Sequence, residues 1–168
     1  SGALGFTDAI RAVADARVMR RALTYVKSFD GLIIQHPEEI SLSREGVVNE
    51  GEISTRLGLK GIPSYAEAMI IERDLWLVRD TGSRYHVSHI STNAAVEIIR
   101  KAKKEGLNIT CDTAPPYFTL NELAVLLQDY YLVSILKRGF LRYKQILKYF
   151  LLFLDALNLA LLFAPSYL

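Results

Sequence analysis

Two histidines, each at the end of a short apolar run, form a pattern that suits metal binding. His36 ends the run LIIQH, and His89 ends the run HVSH. Because side chains alternate along a strand, His36 is expected on the face of Ile34, and His89 on the face of Val87, opposite His86. Imidazole is a good zinc ligand, so the pair predicts a zinc site. A purely structural role for each histidine stays open from the spacing alone.

The first two thirds of the chain alternate between strand and helix patterns, which position the two histidines. The strands predicted from apolar runs are 3–6, 32–36, 86–89 and 107–113. A helix is predicted over 15–29 from an apolar stripe at helical spacing, with Gly31 as its left-handed stop. A second helix is expected from Pro63-Ser64 to about residue 80, with an exit at Thr81-Gly82, and a third from a cap at Ser91, Thr92 or Asn93 to residue 105. This order predicts parallel strands joined by right-handed crossovers. The carboxyl ends of neighbouring strands then meet at the edge where α/β barrels keep their active sites.

Composition limits the possible functions. The 168 residues carry a formal charge of +2, without a basic block interleaved with aromatics, which argues against a nucleic-acid partner. Cys111 is the only cysteine, so an internal disulfide is impossible and a reducing cytoplasm is the simplest location. The length predicts a single domain with a real core, although an eight-stranded barrel typically needs about 250 residues.

The chain changes character after about residue 125. Residues 126–168 are rich in Leu, Tyr and Phe and show no further strand–helix alternation. We expect an apolar, helical tail packed on an apolar surface, and divide the chain into domains 1–125 and 126–168. The stretch 146–164 approaches the length of a membrane span, but Lys148, Asp155 and Asn158 interrupt it, so a membrane partner is not expected.

A motif between the two histidine strands makes them interpretable. The long polar stretch 37–62 is of a length that is usually functional or carries small elements of its own, and it contains NEGE and, with Pro63, TRLGLKGIP. Together with IIQHPEE before it and YHVSHIST after it, it resembles the middle of a bacterial-type dihydroorotase of the amidohydrolase superfamily, over about residues 2–125. The resemblance implies an α/β fold, a partial (β/α)8 TIM-type barrel with zinc at the carboxyl ends of its strands. It also implies interconversion of dihydroorotate and N-carbamoyl-aspartate in pyrimidine biosynthesis.

The resemblance carries over to individual residues. His36 matches the zinc-ligand histidine of the family's H-C-E-type strand end, and His89 matches the ligand in its V-x-H-V-S-T strand. His86 is not a family ligand, and we expect it to face the helices. Glu38 and Glu39 are candidates to orient the His36 imidazole, although solvated loop carboxylates are commoner.

Several family positions differ in this chain. Where the family writes F-[ST]-D-D-G, the coordinating aspartate is replaced by Ala9, and Asp8 is expected to point away from the metal. The family's T-P-H-H appears as APPY at 114–117, without either histidine. The H-x-H pair would lie upstream, and the late-strand aspartate should follow residue 125, where nothing resembles it. Replacement of the lost ligand by Asp8 or by Asp112, beside Cys111, is the alternative.

These differences set the functional expectation. A catalytic zinc needs about three protein ligands plus a water, and two matched histidines do not complete that set. We therefore expect a dihydroorotase-type amidohydrolase for a small-molecule substrate, inactive as an isolated chain, with no catalytic residue assigned. The alternative is a non-catalytic scaffold partner of aspartate carbamoyltransferase. Assembly into a homo-oligomer stays open.

Overall fold

A computed structural model of the protein describes residues 2–8 and 11–125. All of these except Val125 belong to one compact unit, Ser1–Ala124. Ala9, the predicted helical tail and the interrupted apolar stretch 146–164 lie outside the described residues. The predicted domain boundary therefore stays a prediction.

The described elements alternate between strands and helices. In chain order they are β1 (Phe6–Thr7), α1 (Ala16–Lys27), β2 (Leu32–Gln35), α2 (Ile40–Ser43), β3 (Val48–Asn49), α3 (Glu52–Leu57), β4 (Gly61–Ile62), α4 (Tyr65–Thr81), β5 (Arg84–Val87), α5 (Asn93–Lys104), β6 (Ile109–Cys111) and α6 (Pro115–Thr119). Four strands form a parallel sheet in the order β1-β2-β5-β6. The predicted α/β class with a parallel sheet is confirmed, although the strands are shorter than the apolar runs.

The main helices begin and end where local chemistry favours it. The Asp15 carboxylate accepts the backbone N–H groups of Arg17 and Val18 at the start of α1, and the Thr92 hydroxyl accepts that of Ala95 in α5. Gly82, with φ of 63°, follows α4 as a left-handed cap.

The predicted stop of α1 is wrong by one residue. Asp30, not Gly31, takes the left-handed conformation, with φ of 54°. The Gly31 N–H still closes the helix on the Val26 carbonyl at 2.8 Å. Aspartate tolerates this conformation better than most residues because its short polar side chain can bond locally.

The core lies between the sheet and α1, α4 and α5. Burial alternates along β2 and β5, where Ile33, Gln35, Tyr85 and Val87 are buried and their neighbours are half-buried. The apolar members pack with one stripe from each helix. That stripe comprises Met19, Leu23 and Val26 of α1, Ile71, Leu75 and Val78 of α4, and Ala95, Ile99 and Ala102 of α5. The helices thus fix the position of the two strands that precede His36 and His89.

The stretch 37–62 folds into small elements, one of the two alternatives that its length left open. It contains α2, β3, α3 and β4, and β3 pairs with β4 in parallel through Val48–Gly61 and Asn49–Ile62. A side chain at Gly61 would place its Cβ 2.5 Å from the Glu50 Cα, so this close approach requires glycine.

Within residues 2–8 and 11–125, no helix is both long enough and apolar enough to cross a membrane.

Candidate metal centre

His36 directly follows β2, and the end of that strand is anchored from the helix side. The buried Gln35 amide accepts the Val13 N–H at 3.2 Å and lies 3.3 Å from the Asp74 carboxylate, to which it donates. Alternation then turns the His36 ring to the opposite face, that of Ile34, as predicted. The ring is half-buried, with 27% of its side-chain surface exposed.

His89 reaches the same place by a different route. Strand β5 ends at Val87, and the Ser88 N–H extends the ladder to the Gln35 carbonyl at 2.9 Å. His89 itself has φ of 60°, in the left-handed region. The prediction that simple alternation places His89 on the face of Val87 is therefore wrong, because a left-handed residue interrupts the alternation.

The structure brings the two imidazoles together. Their ring centroids are 5.8 Å apart, with the ring planes at 59°. Both rings line an open cleft of about 190 Å³ at the carboxyl ends of β2 and β5. The rest of its wall comes from the 37–62 stretch and the segments after it, including Asn49, Ile62, Pro63, Glu67, Thr92 and Tyr117.

One buried nitrogen of the pair has no hydrogen-bond partner in residues 2–8 and 11–125. The buried Nδ1 of His36 makes no hydrogen bond within the part of the chain that the structure describes. Buried polar atoms are normally paired, so an unpaired imidazole nitrogen beside a second imidazole fits a missing ligand such as a metal ion. The Glu38 carboxylate lies 3.6 Å from His36 Nε2, too far for a good hydrogen bond. The donor set is therefore suitable for zinc but amounts to two imidazoles.

No third ligand joins them in the described ranges, where no three side chains of His, Cys, Asp or Glu are grouped to hold a metal. Asp8 is exposed and does not line the cleft, and Glu39 instead caps α2 through the Ser41 N–H. Cys111 is half-buried against the core. Tyr117, from the APPY segment, lines the cleft where the resemblance would place a histidine.

His86 and Asp112 form a separate contact beside the pair. The expectation that His86 faces the helices is wrong. His86 pairs in register with Ile34, and both side chains lie on the face of the sheet opposite the helices. Its Nε2 lies 2.9 Å from the Asp112 carboxylate, and its Nδ1 lies 2.6 Å from the Thr110 hydroxyl. Partial burial alone would raise the pKa of Asp112, but hydrogen bonds from His86 and from the His89 N–H outweigh it and lower the pKa below its ordinary value.

Two cleft residues escaped the sequence analysis. Glu67, in the first turn of α4, accepts bonds from the N–H and hydroxyl groups of both Ser91 and Thr92. Asn49 lines the cleft from β3. The only sequence signal was their position, Asn49 within the NEGE motif and Glu67 soon after the predicted helix start.

A buried polar network lies behind the site. The Asp74 carboxylate accepts the Tyr85 hydroxyl at 2.6 Å and the Arg73 guanidinium at 2.7 and 2.9 Å. Burial raises the pKa of Asp74, although these donors act in the opposite direction. Burial, together with the neighbouring Asp74 charge, also raises the pKa of Tyr85 well above its ordinary value. The network joins α4 to the strands that carry both histidines.

Comparisons with known proteins agree with this architecture. The family model described as "Dihydro-orotase-like" matches residues 1–95. A dihydroorotase of Anaplasma phagocytophilum is 49% identical over 75% of this chain and 28% of its own length. One of Desulfotalea psychrophila is 46% identical over 77% of this chain and 31% of its own. The chain thus spans less than a third of these relatives.

Solved structures extend the comparison to the fold. The dihydropyrimidinase of Brevibacillus agri matches 73% of this chain and 27% of its own, with a TM-score of 0.53 and 22% identity. A D-hydantoinase of a Bacillus species matches 71% and 26%, with a TM-score of 0.51 and 24% identity. At this identity the likeness shows the fold alone, an α/β segment like part of a TIM-type barrel. By the family match and its curated relatives, this chain belongs to the dihydroorotase-like family.

Proposed function

We propose that this chain forms part of a dihydroorotase-type cyclic amidohydrolase and contributes two zinc ligands, His36 and His89. The reaction would interconvert dihydroorotate and N-carbamoyl-aspartate. The observation that carries the proposal is the pairing of the two rings, 5.8 Å apart in one cleft, with His36 Nδ1 buried and without a partner among the described residues. Family membership supports the choice of reaction.

Two of the chain's own residues, His36 and His89, would hold the metal. Zinc, when bound, supplies a Lewis acid that polarises a carbonyl group and lowers the pKa of a coordinated water. His36 is oriented by the anchored end of β2, and His89 by its left-handed turn. Asn49 and Tyr117 contribute polar side chains to the cleft wall, where a small amide or carboxylate substrate would bind.

We propose further that the isolated chain is inactive. Two imidazoles fall short of the about three protein ligands that a catalytic zinc requires, and the described residues supply no third. Purified chain with added zinc should therefore show no turnover of dihydroorotate above a zinc-only blank. Turnover that disappears in His36→Ala would contradict this and would mean that an unrecognised carboxylate completes the site.

The non-catalytic alternative also remains a proposal. A scaffold partner of aspartate carbamoyltransferase would not need the histidine pair to bind zinc. Co-purification with the transferase, unchanged in His36→Ala and His89→Ala, would favour the scaffold. Zinc binding that depends on both histidines would favour the amidohydrolase.

A further inference from the structure

The turn that carries His89 is held at every backbone donor. The N–H groups of residues 88–92 all have partners on neighbouring elements. The Ser88 N–H donates to the Gln35 carbonyl at 2.9 Å. The His89 N–H donates to the Asp112 carboxylate at 2.5 Å, and the Ile90 N–H donates to the Asp112 carbonyl at 2.9 Å. The N–H groups of Ser91 and Thr92 donate to the two Glu67 carboxylate oxygens at 2.8 and 3.0 Å. Asp112 accepts two of these five bonds, and one of the two comes from the N–H of His89 itself.

We propose that Asp112 is a positioning residue that keeps His89 in the left-handed conformation and so keeps its ring beside His36. The proposal deepens the proposed function, on which its meaning for zinc rests. Histidine enters the left-handed region at a conformational cost that glycine does not have. A bond from the His89 N–H to a carboxylate is charge-assisted, and such bonds are roughly twice as strong as neutral ones. It can therefore offset that cost.

The Asp112 carboxylate is itself fixed for this task. Its Oδ2 is held by His86 Nε2 at 2.9 Å and by the Ser88 hydroxyl at 3.2 Å, which leaves Oδ1 to accept the His89 N–H. Because a carboxylate only accepts, His86 Nε2 carries the proton. In the neutral ring, Nδ1 then accepts from the Thr110 hydroxyl. His86 of β5, which is itself bonded to Thr110 of β6, thus orients Asp112 Oδ1 toward the His89 N–H.

This arrangement separates Asp112 from the metal ligands. Its bonds go to a backbone N–H, to a hydroxyl and to His86, while the paired rings are those of His36 and His89. Removing the carboxylate should leave the His89 N–H without its acceptor, so that His89 can leave the left-handed conformation and its ring can move away from His36. Residues that orient metal ligands typically change metal affinity by about 10- to 100-fold when they are mutated.

The test compares Asp112→Ala with Asp112→Asn in the full chain. Asparagine keeps an oxygen that can accept the His89 N–H, whereas alanine does not. Nuclear Overhauser contacts between the His36 and His89 rings should persist in the unaltered chain and in Asp112→Asn, and disappear in Asp112→Ala. Zinc affinity, measured by calorimetric titration, should fall about tenfold or more in Asp112→Ala and stay within about threefold in Asp112→Asn. Asp80→Ala, which removes an exposed carboxylate paired with Arg20, should change neither readout.

The outcomes separate the two proposals. Ring contacts and zinc affinity that are unchanged in Asp112→Ala would overturn the positioning role. If the unaltered chain binds no zinc, the proposed function fails, and the ring contacts alone decide the role of Asp112. Should Asp112→Ala not fold, hydrogen exchange in the unaltered chain decides it. The His89 amide should then exchange more than about tenfold slower than in an unstructured peptide, and exchange at the peptide rate would overturn the proposal.

Discussion

Tyr85→Phe removes one hydroxyl from the buried network behind the histidine pair. Tyr85 and Asp74 are both 0% exposed, and the hydroxyl donates to Asp74 Oδ2 at 2.6 Å. Without it, the Gln35 amide, at 3.3 Å, is the partner that this oxygen keeps among residues 2–8 and 11–125. Hydrogen bonds to charged groups contribute about 1.5–3 kcal/mol net, and the ring itself is unchanged, so we expect a loss of about 2 kcal/mol in the free energy of unfolding.

Urea unfolding measures this loss directly. With a slope of about 2 kcal/mol per molar urea, typical of small proteins, the midpoint should fall by about 1 M while the slope stays the same. Tyr25→Phe is the matched control, because Tyr25 is 71% exposed and its variant should stay within about 0.5 kcal/mol of the unaltered chain. A midpoint for Tyr85→Phe that matches the control would refute the account of the network.

Three further predictions concern the elements around the site. Gly61→Ala places a Cβ 2.5 Å from the Glu50 Cα and should lower the free energy of unfolding, measured in urea, by about 1–3 kcal/mol. Gly51→Ala is the control, because a Cβ there meets open space and should lower it by less than about 1 kcal/mol. Equal losses would contradict the close approach of β3 and β4. Thr92→Ala removes the cap of α5 and should cost about 1 kcal/mol, which Thr92→Ser should largely restore. Because the pKa of Asp74 is raised in the folded chain, stability should fall as pH rises from the unfolded value of 3.8 to the folded one; the same slope in Asp74→Asn would contradict this.

The sequence predicted the elements best where local chemistry decides the structure. Asp15, Thr92 and Gly82 stand at helix boundaries because a cap or a left-handed stop acts within a few residues. The face of His36 followed from alternation because β2 is regular through Gln35. The resemblance then gave the family, and the family comparison confirmed it.

The rest depends on contacts between distant segments. The left-handed turn at His89 is held by Asp112, 23 residues further along the chain, so alternation within β5 could not predict it. The same turn explains why His86 was assigned to the wrong face. Glu67 reaches Ser91 and Thr92 across 24 and 25 residues. Such bonds are visible only once the parallel sheet has brought the strand ends together.

The most direct test of the proposed metal centre is a zinc titration of the full chain, followed through the ring signals of its three histidines in nuclear magnetic resonance spectra. We expect the His36 and His89 signals to shift together and to saturate at one zinc per chain. The His86 ring, held by Thr110 and Asp112, serves as the internal control and should shift least. Shifts that are largest at His86, or none at His36 and His89 at saturating zinc, would contradict a zinc site formed by this pair.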